Sequence, residues 1–244
     1  MVASSDAANN QLTIVFDDAG SKTVVKTAGG LVATQTYNLA GELIARMESS
    51  EAPSGTASTV LGADSSQYDD MGRLAVFTDA RGDNTYYVYD ALGRQTAVVT
   101  QDGWMTQYRY DEVNNVIATA RFTAKVSEAN LAALADPNRT LTADAILPTQ
   151  SVAADISQDI WTWSVYDEGS RLVQTINGEG AVTNFEYDKA NNLVRTIAYW
   201  EKVAVDGFKT NPPLTKQTPD ATPSKDIVVR NFFDMSVART FGTD

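Results

Sequence analysis

Residues 87–99 read YVYDALGRQTAVV, an aromatic residue and an aspartate followed by a glycine–arginine pair and a run of strand-forming residues. The phrase recurs as QYDDMGRLAVF and VYDEGSRLVQT, where glycine moves to Gly169, and as RYDEVNNVIAT and EYDKANNLVRT, where asparagine pairs replace Gly-Arg. Fainter copies start at Phe16, Tyr37 and Phe233. We predict as structural anchors of this repeat Phe16, Tyr37, Tyr68, Asp69, Gly72, Tyr89, Asp90, Gly93, Tyr110, Asp111, Tyr166, Asp167, Tyr187, Asp188 and Phe233.

The spacing between copies is the stronger signal. A step of 21 residues separates Phe16 from Tyr37, Tyr68 from Tyr89, Tyr89 from Tyr110, and Tyr166 from Tyr187. A fixed period of this length is typical of repeat architectures, in which each repeat is one supersecondary unit.

One repeat has the composition of an antiparallel hairpin. Aspartate after the aromatic favours an Asx-turn, and the glycine or asparagine that follows tolerates the left-handed conformation. TDARGD, TQDGW and INGEGA mark a second turn. Two strands of about six or seven residues and two turns of about four fill the period. We therefore expect hairpins paired edge to edge, with one face buried and successive aromatic rings stacked as a ladder.

Insertions interrupt the period without changing its order. The segment at about 124–158 contains SEANLAALA, which predicts a short helix with Ser127 as N-cap that stops near Pro137, and TADAIL, a second helical turn. The segment at about 201–226 is rich in proline and predicts an extended loop. SSEAPSGTAS predicts another loop. We expect the insertions to decorate one rim of a single array that spans residues 1–244.

Composition limits the function. The chain of 244 residues has no histidine and no cysteine, which removes the commonest general base and metal ligands and every disulfide. A net charge of -12, with no local basic patch, argues against nucleic acid. There is no stretch of roughly 20 apolar residues and no signal peptide at the start. FFDMSVARTFGTD begins a repeat without completing it, so we expect a fragment of a longer chain.

The Y-D-x-x-G-R-L core, the return strand G-x-x-T-x-Y-x-Y-D and the 21-residue step resemble the YD-repeat or Rhs-repeat family. The resemblance implies an all-β, curved strip of hairpins that forms part of a hollow shell, as in bacterial polymorphic toxins, the cocoon subunits of insecticidal toxin complexes, and teneurin-like shells. In that family the shell encloses a toxic domain or a chain terminus, and the repeats are not catalytic. The family's self-cleavage motif is not matched by DPNRT at Asp136.

We therefore expect a non-catalytic wall segment, without cofactor or metal, of a large secreted or surface-exposed bacterial protein. Its expected partners are the remainder of its own chain and an enclosed toxin domain. Because NQLTIVF and DIVVRNFF would be exposed edges, edge-to-edge self-association is also expected. The alternative is an adhesion module that stacks glycans on Tyr86, Trp104, Trp161 and Trp163.

Two further alternatives rest on the acidic residues. Calcium could bind paired acids such as Asp17-Asp18, Asp69-Asp70 and Asp111-Glu112, although these pairs lack the D-x-D-x-D-G ligand spacing. A glycosidase with two carboxylates needs no histidine, but its active site should occur once, whereas these acids recur with the repeat.

Overall fold

The computed structural model describes residues 2–5, 11–17, 22–26, 31–50, 59–148, 159–220 and 224–231. Phe233, the first turn expected at Gly20 and the second turn expected at Gly30 lie outside these ranges. The chain divides into two compact units. Unit 1 comprises Met1–Met105 and Ala124–Thr149, and unit 2 comprises Thr106–Thr123 and Gln150–Asp244.

Within unit 1 the strands pair antiparallel with their neighbours in chain order. They are β1 Val2–Ser5, β2 Gln11–Asp17, β3 Lys22–Lys26, β4 Leu31–Tyr37, β5 Leu43–Ser50, β6 Val60–Tyr68, β7 Leu74–Thr78, β8 Asn84–Tyr89 and β9 Gln95–Thr100. The predicted edge at NQLTIVF is wrong, because β2 pairs with β1 as well as with β3.

Within unit 2 the strands also pair antiparallel in chain order. Its strands are β10 Met105–Tyr110, whose first residue belongs to unit 1, β11 Val116–Arg121, β12 Ile160–Tyr166, β13 Leu172–Asn177, β14 Val182–Tyr187, β15 Leu193–Ala198 and β16 Ile227–Arg230. The all-β fold of repeated antiparallel hairpins is therefore confirmed. Within the described residues, β16 has β15 as its neighbour on one side.

A β-bulge precedes every anchor tyrosine. The pairing register shifts by one residue immediately before Tyr37, Tyr68, Tyr89, Tyr110, Tyr166 and Tyr187. The extra residue lies on the strand that follows the turn; Ala75, between Leu74 and Val76, is an example. A bulge increases the local twist and re-aims the neighbouring side chain. Each repeat therefore turns its tyrosine by the same device.

The insertion between β11 and β12 contains a helix, as predicted. Helix α1 spans Glu128–Leu134, and the Ser127 side chain accepts a hydrogen bond from the Asn130 backbone N–H. A 3-10 turn follows at Asp144–Ile146. The side chains of Leu134 and Ile146 are fully buried. The segment is tied to the sheet of unit 1, because Val126 N–H donates to the carbonyl of Gly103 at 2.9 Å.

The core of unit 2 is built on paired tryptophans of β12. The rings of Trp161 and Trp163 stack at 5.7 Å between centroids, and Phe208 meets Trp163 edge-on at 5.4 Å. The partners of the tryptophans on β11 are Ala120 and Ala118, so small residues lie opposite large ones. The proline-rich segment that supplies Phe208 is irregular, but it packs onto this cluster rather than extending away from it.

All three long connections replace the second turn of a repeat. They join β5 to β6, β11 to β12, and β15 to β16. The first turns, which follow the anchor tyrosines, keep the same five-residue length in every described copy. Within the described chain, insertions therefore occur at the end of the hairpins that carries the second turns, while the single decorated rim stays a prediction.

Candidate functional site: the joint between repeats

The first turn of each repeat is closed by one side chain. The Oδ1 atom of an aspartate or asparagine accepts hydrogen bonds from the backbone N–H groups two and four residues later, at 2.8–3.0 Å. This holds for Asn38, Asp69, Asp90, Asp111, Asp167 and Asp188. The backbone adds bonds of its own, such as Gly72 N–H to the Asp69 carbonyl at 2.9 Å. The acid that defines the repeat therefore acts as a turn residue.

The residue that ends the turn bonds the second atom of this carboxylate or amide. Arg73 Nε donates to Asp69 Oδ2 at 2.7 Å, and Asn192 Nδ2 donates to Asp188 Oδ2 at 2.9 Å. In the turn that starts with asparagine, donor and acceptor exchange places, and Asn38 Nδ2 donates to the Glu42 carboxylate at 2.6 Å. Arginine, asparagine and glutamate thus perform one task, which explains how copies without Gly-Arg keep the turn.

Second turns use the same geometry. Asp79 Oδ1 accepts from the N–H groups of Arg81 and Asp83, and Asn177 Oδ1 accepts from those of Glu179 and Ala181. These two second turns are consequently closed by a short polar residue and a left-handed residue three positions later, Gly82 and Gly180.

The anchor tyrosines join one repeat to the preceding one. Their hydroxyl groups donate to a backbone carbonyl six residues after the preceding anchor, at 2.9–3.2 Å. The pairs are Tyr68 with Leu43, Tyr89 with Leu74, Tyr166 with Val116 and Tyr187 with Leu172. For these four residues, hydrogen bonds replace the stacked ladder of rings that the sequence predicts. We call this contact, together with the first turn beside it, the repeat joint.

Arginine strengthens the joint in two copies. The Arg73 guanidinium lies 4.7 Å from the centre of the Tyr89 ring, and its Nη1 donates to the carbonyl of Asp90 in the next turn at 3.2 Å. Arg171 lies 5.2 Å from the Tyr187 ring and bonds Asn191 Oδ1 at 2.8 Å. In both copies the arginine side chain therefore contacts the aspartate of its own turn, the anchor tyrosine of the next repeat and the turn that follows that tyrosine.

The hydrogen bonds lower the pKa values of the turn carboxylates. For Asp167, bonds from the Arg171 backbone and side chain hold the pKa below its ordinary value. Burial alone would raise the pKa of Asp90, but bonds from the Arg94 backbone and side chain outweigh burial and lower it. These carboxylates are therefore charged turn residues. Within the described chain, no cluster of three or more acidic residues is arranged to hold a metal ion.

We expect the protein to lose stability as the pH falls below about 4, because a pKa lowered by folding contributes stability above the unfolded value and loses it on protonation. A variant with both Asp69→Asn and Asp90→Asn should show a smaller loss, since Asn38 shows that asparagine closes the same turn. Urea midpoints at pH 7 and pH 3 measure this difference. Equal acid sensitivity of the two proteins would contradict the role of these carboxylates.

Ser170 occupies a position that favours glycine. The equivalent residues Gly72, Gly93, Asn114 and Asn191 have φ between 64° and 81°, and Ser170 has φ 57°. The glycine of this copy, Gly169, stands one residue too early to relieve the strain. The displaced glycine is visible in the sequence and is the signal of the strained position.

We expect Ser170→Gly to stabilise the protein by about 0.5–1 kcal/mol, because it removes the cost of a β-carbon in the left-handed region and adds back only part of it as chain entropy. The measurement is the urea midpoint. Ser170→Ala is the matched control, since it removes the hydroxyl but keeps the β-carbon. Equal effects of the two changes would show that the hydroxyl, and not the backbone, sets the stability here.

The predicted glycan contacts are mostly buried. Trp163 is 0% exposed, Trp161 4% and Tyr86 6%. Trp104 is 45% exposed, and the Lys125 ammonium lies 5.0 Å from the centre of its ring. The alternative that uses Trp161 and Trp163 as glycan contacts is therefore corrected, because these rings form the core of unit 2.

The hairpins repeat a closed polar turn and, in four copies, a hydrogen-bonded anchor tyrosine. Residues 89–123 match the family model described as RHS Repeat, which confirms the resemblance seen in the sequence. No helix of the described chain is long and apolar enough to cross a membrane. A search among curated proteins found no match.

Several solved structures are similar to this chain at low identity. The crystal structure of TcdB2-TccC3-TEV is 13% identical over 81% of this chain, with a TM-score of 0.32. The Photorhabdus luminescens Tc holotoxin pore, carrying a TccC3 mutation, is 13% identical over 81%, with a TM-score of 0.30. This chain spans 14% of each of those chains. A porin-like protein from Bacteroides uniformis is 12% identical over 79% of this chain and 88% of its own, with a TM-score of 0.25. All three superpose only loosely.

Proposed function

We propose that this chain is a non-catalytic wall segment of an Rhs-type shell, whose task is to enclose another part of a larger secreted bacterial protein. The observation that supports the proposal is the repeat joint. The acids that recur with the repeat are used in closing turns, and the tyrosines are used in joining neighbours. The repeated residues therefore serve to continue the sheet from one hairpin to the next.

The last described strand supports continuation as well. In β16, Ile227, Val228 and Val229 are 66%, 41% and 53% exposed, and β15 is its neighbour within the described residues. An exposed apolar edge strand is a template for pairing with another strand. In the proposed parent protein this edge would pair with the next repeat.

The proposal predicts that the isolated chain associates through this edge. Val228→Lys should reduce association seen by sedimentation velocity, because a lysine on an edge strand opposes strand addition. Leu39→Lys is the control, since Leu39 is fully exposed in the turn between β4 and β5. A wild-type chain that stays monomeric at all concentrations, or equal effects of the two changes, would count against the wall.

Enclosure requires its own experiment. The parent protein, expressed with the sequences that flank this segment, should protect an internal segment from added protease until the shell is opened by denaturant. A parent protein in which every flanking segment is cleaved at the rate of the unfolded chain would refute enclosure. Binding to a glycan array that is lost on Trp104→Ala would instead favour the adhesion alternative.

A further inference from the structure

Arg139, from the helical insertion of unit 1, fills a gap between two strands. The register of β7 and β8 ends at the pair Val76 and Tyr86, so the next residues, Ala75 and Tyr87, are not paired across this edge. The Nη2 group of Arg139 donates to both of their carbonyls. A planar guanidinium suits this task because it presents several donors in a fixed fork.

The groups around Arg139 offset the effect of burial on its positive charge. Burial lowers the pKa of the Arg139 side chain, and the negative charges of Asp136 and Asp69 oppose that shift. Tyr86 and Tyr89 act in the same direction as the two acids. The gap between β7 and β8 is therefore a binding site for a cation. It consists of two carbonyls without a strand partner across the gap, a turn aspartate and an anchor tyrosine.

Unit 2 contains the same gap 98 positions later in the chain. The register of β13 and β14 ends at Gln174 and Asn184, which leaves Val173 and Phe185 unpaired across this edge. Val173 is also the extra residue of a bulge, as Ala75 is in unit 1. The tyrosine hydroxyl closes the end of the gap in both units, since Tyr187 donates to the carbonyl of Leu172 at 3.0 Å.

In unit 2 this gap opens into a cleft of about 560 Å³. Its walls include Val173, Phe185, Asp167 and Tyr187, the counterparts of the residues that surround Arg139. Glu186 also lines the cleft, where it pairs with Arg195 at 3.3 Å, and it replaces Val88 of unit 1. Arg171, which pairs with Asp167 at 2.7 Å, lines the cleft as well. The proline-rich segment contributes Lys216 at the rim, where the residue is exposed.

The geometry points to a binding site for the guanidinium group of an arginine side chain, carried by a polypeptide, in the cleft between β13 and β14. The guanidinium donates to the carbonyls of Val173 and Phe185, as Arg139 does in unit 1, and the carboxylates of Asp167 and Glu186 add negative charge beside the arginines that already pair with them. A lysine ammonium is a compact and more strongly hydrated charge, so burying it against the same two carbonyls costs more than burying a guanidinium. This inference stands independently of the enclosing role.

Titration of the full chain with N-acetyl-arginine amide, followed by backbone amide NMR, tests the site. Shifts should centre on Val173, Phe185 and Tyr187, and N-acetyl-lysine amide should bind about tenfold more weakly. Glu186→Gln should weaken binding of the arginine compound, whereas Glu179→Gln should not, because Glu179 pairs with Lys202 outside the cleft. Equal binding of the two compounds, or shifts that ignore these residues, would overturn the proposal.

Two further variants complete the test. Arg139→Ala empties the binding site of unit 1, so added ethylguanidinium should raise its melting temperature more than that of the wild type. If ethylguanidinium does not stabilise Arg139→Ala more than the wild type, the analogy between the gaps of unit 1 and unit 2 fails, and the proposal fails with it. Arg239 lies outside the described residues, and Arg239→Ala asks whether the chain supplies its own ligand. Binding seen only in that variant supports the site with an internal source, and binding in neither protein refutes it.

Discussion

Gly180→Ala is expected to destabilise the protein by about 3 kcal/mol or more, which is a large loss for the addition of one methyl group. Gly180 has φ 86°, and a β-carbon placed there would lie 2.1 Å from the carbonyl oxygen of Val203. Val203 cannot simply withdraw, because its N–H donates to the Gly180 carbonyl at 2.9 Å. The substitution therefore opposes both the backbone conformation and the docking of the proline-rich segment.

Gly82→Ala is the control for this prediction. Gly82 has nearly the same φ of 88° and no heavy atom within 4 Å of the added carbon, so only the backbone cost of about 1 kcal/mol should appear. Urea unfolding followed by tryptophan fluorescence measures both variants. Losses of equal size would show that the Val203 contact moves freely and contributes nothing to stability.

Trp163→Ala is expected to cost about 3–5 kcal/mol, the usual cost of deleting a buried aromatic side chain. The ring is 0% exposed, stacks on Trp161 and meets Phe208 edge-on. Its Nε1 also donates to the Phe208 carbonyl at 3.1 Å, so the substitution releases the proline-rich segment as well. Urea unfolding gives the loss of stability, and proteolysis near Phe208 reports the release.

Trp200→Ala separates packing from the mere loss of a tryptophan. Trp200 is 59% exposed, with the Lys225 ammonium 5.0 Å from its ring centre, and its removal should change the free energy of unfolding by less than about 1 kcal/mol. Trp163→Phe keeps a ring and loses the hydrogen bond, so its cost should fall between the two. A small effect of Trp163→Ala would contradict the assigned core.

The hairpins were predictable because the signals are local. Asp90 and Gly93 lie three residues apart, and the physics of a short polar side chain beside a left-handed residue suffices to predict the turn. Helix α1 was predictable from Ser127 for the same reason. Asn114 and Asn191 were predicted to replace glycine, and both have positive φ.

The joints were not predictable from local signals. The hydroxyl of Tyr89 bonds a carbonyl 15 residues away, and the choice between this bond and ring stacking depends on a bulge that leaves no mark in the sequence. Arg139 lies 64 residues from Ala75, so nothing near it indicates its partner. The strand β1 was missed as well, because the edge was assigned from composition without knowing what pairs beside it. The anchor roles of the repeat residues stay predictions.

The restriction of long connections to second turns has a consequence for how such a chain can change. First turns are held by bonds within five residues, so a splice after Asp90 would break the closure and the tyrosine joint at once. Second turns carry no joint, and three of them have already accepted extra sequence. The end of the hairpins that carries the first turns is thus fixed in length, whereas the end that carries the second turns can accept longer connections. A foreign peptide grafted between Ala80 and Arg81 would break the turn closure at Asp79 but no tyrosine joint, so we expect the sheet beside it to persist.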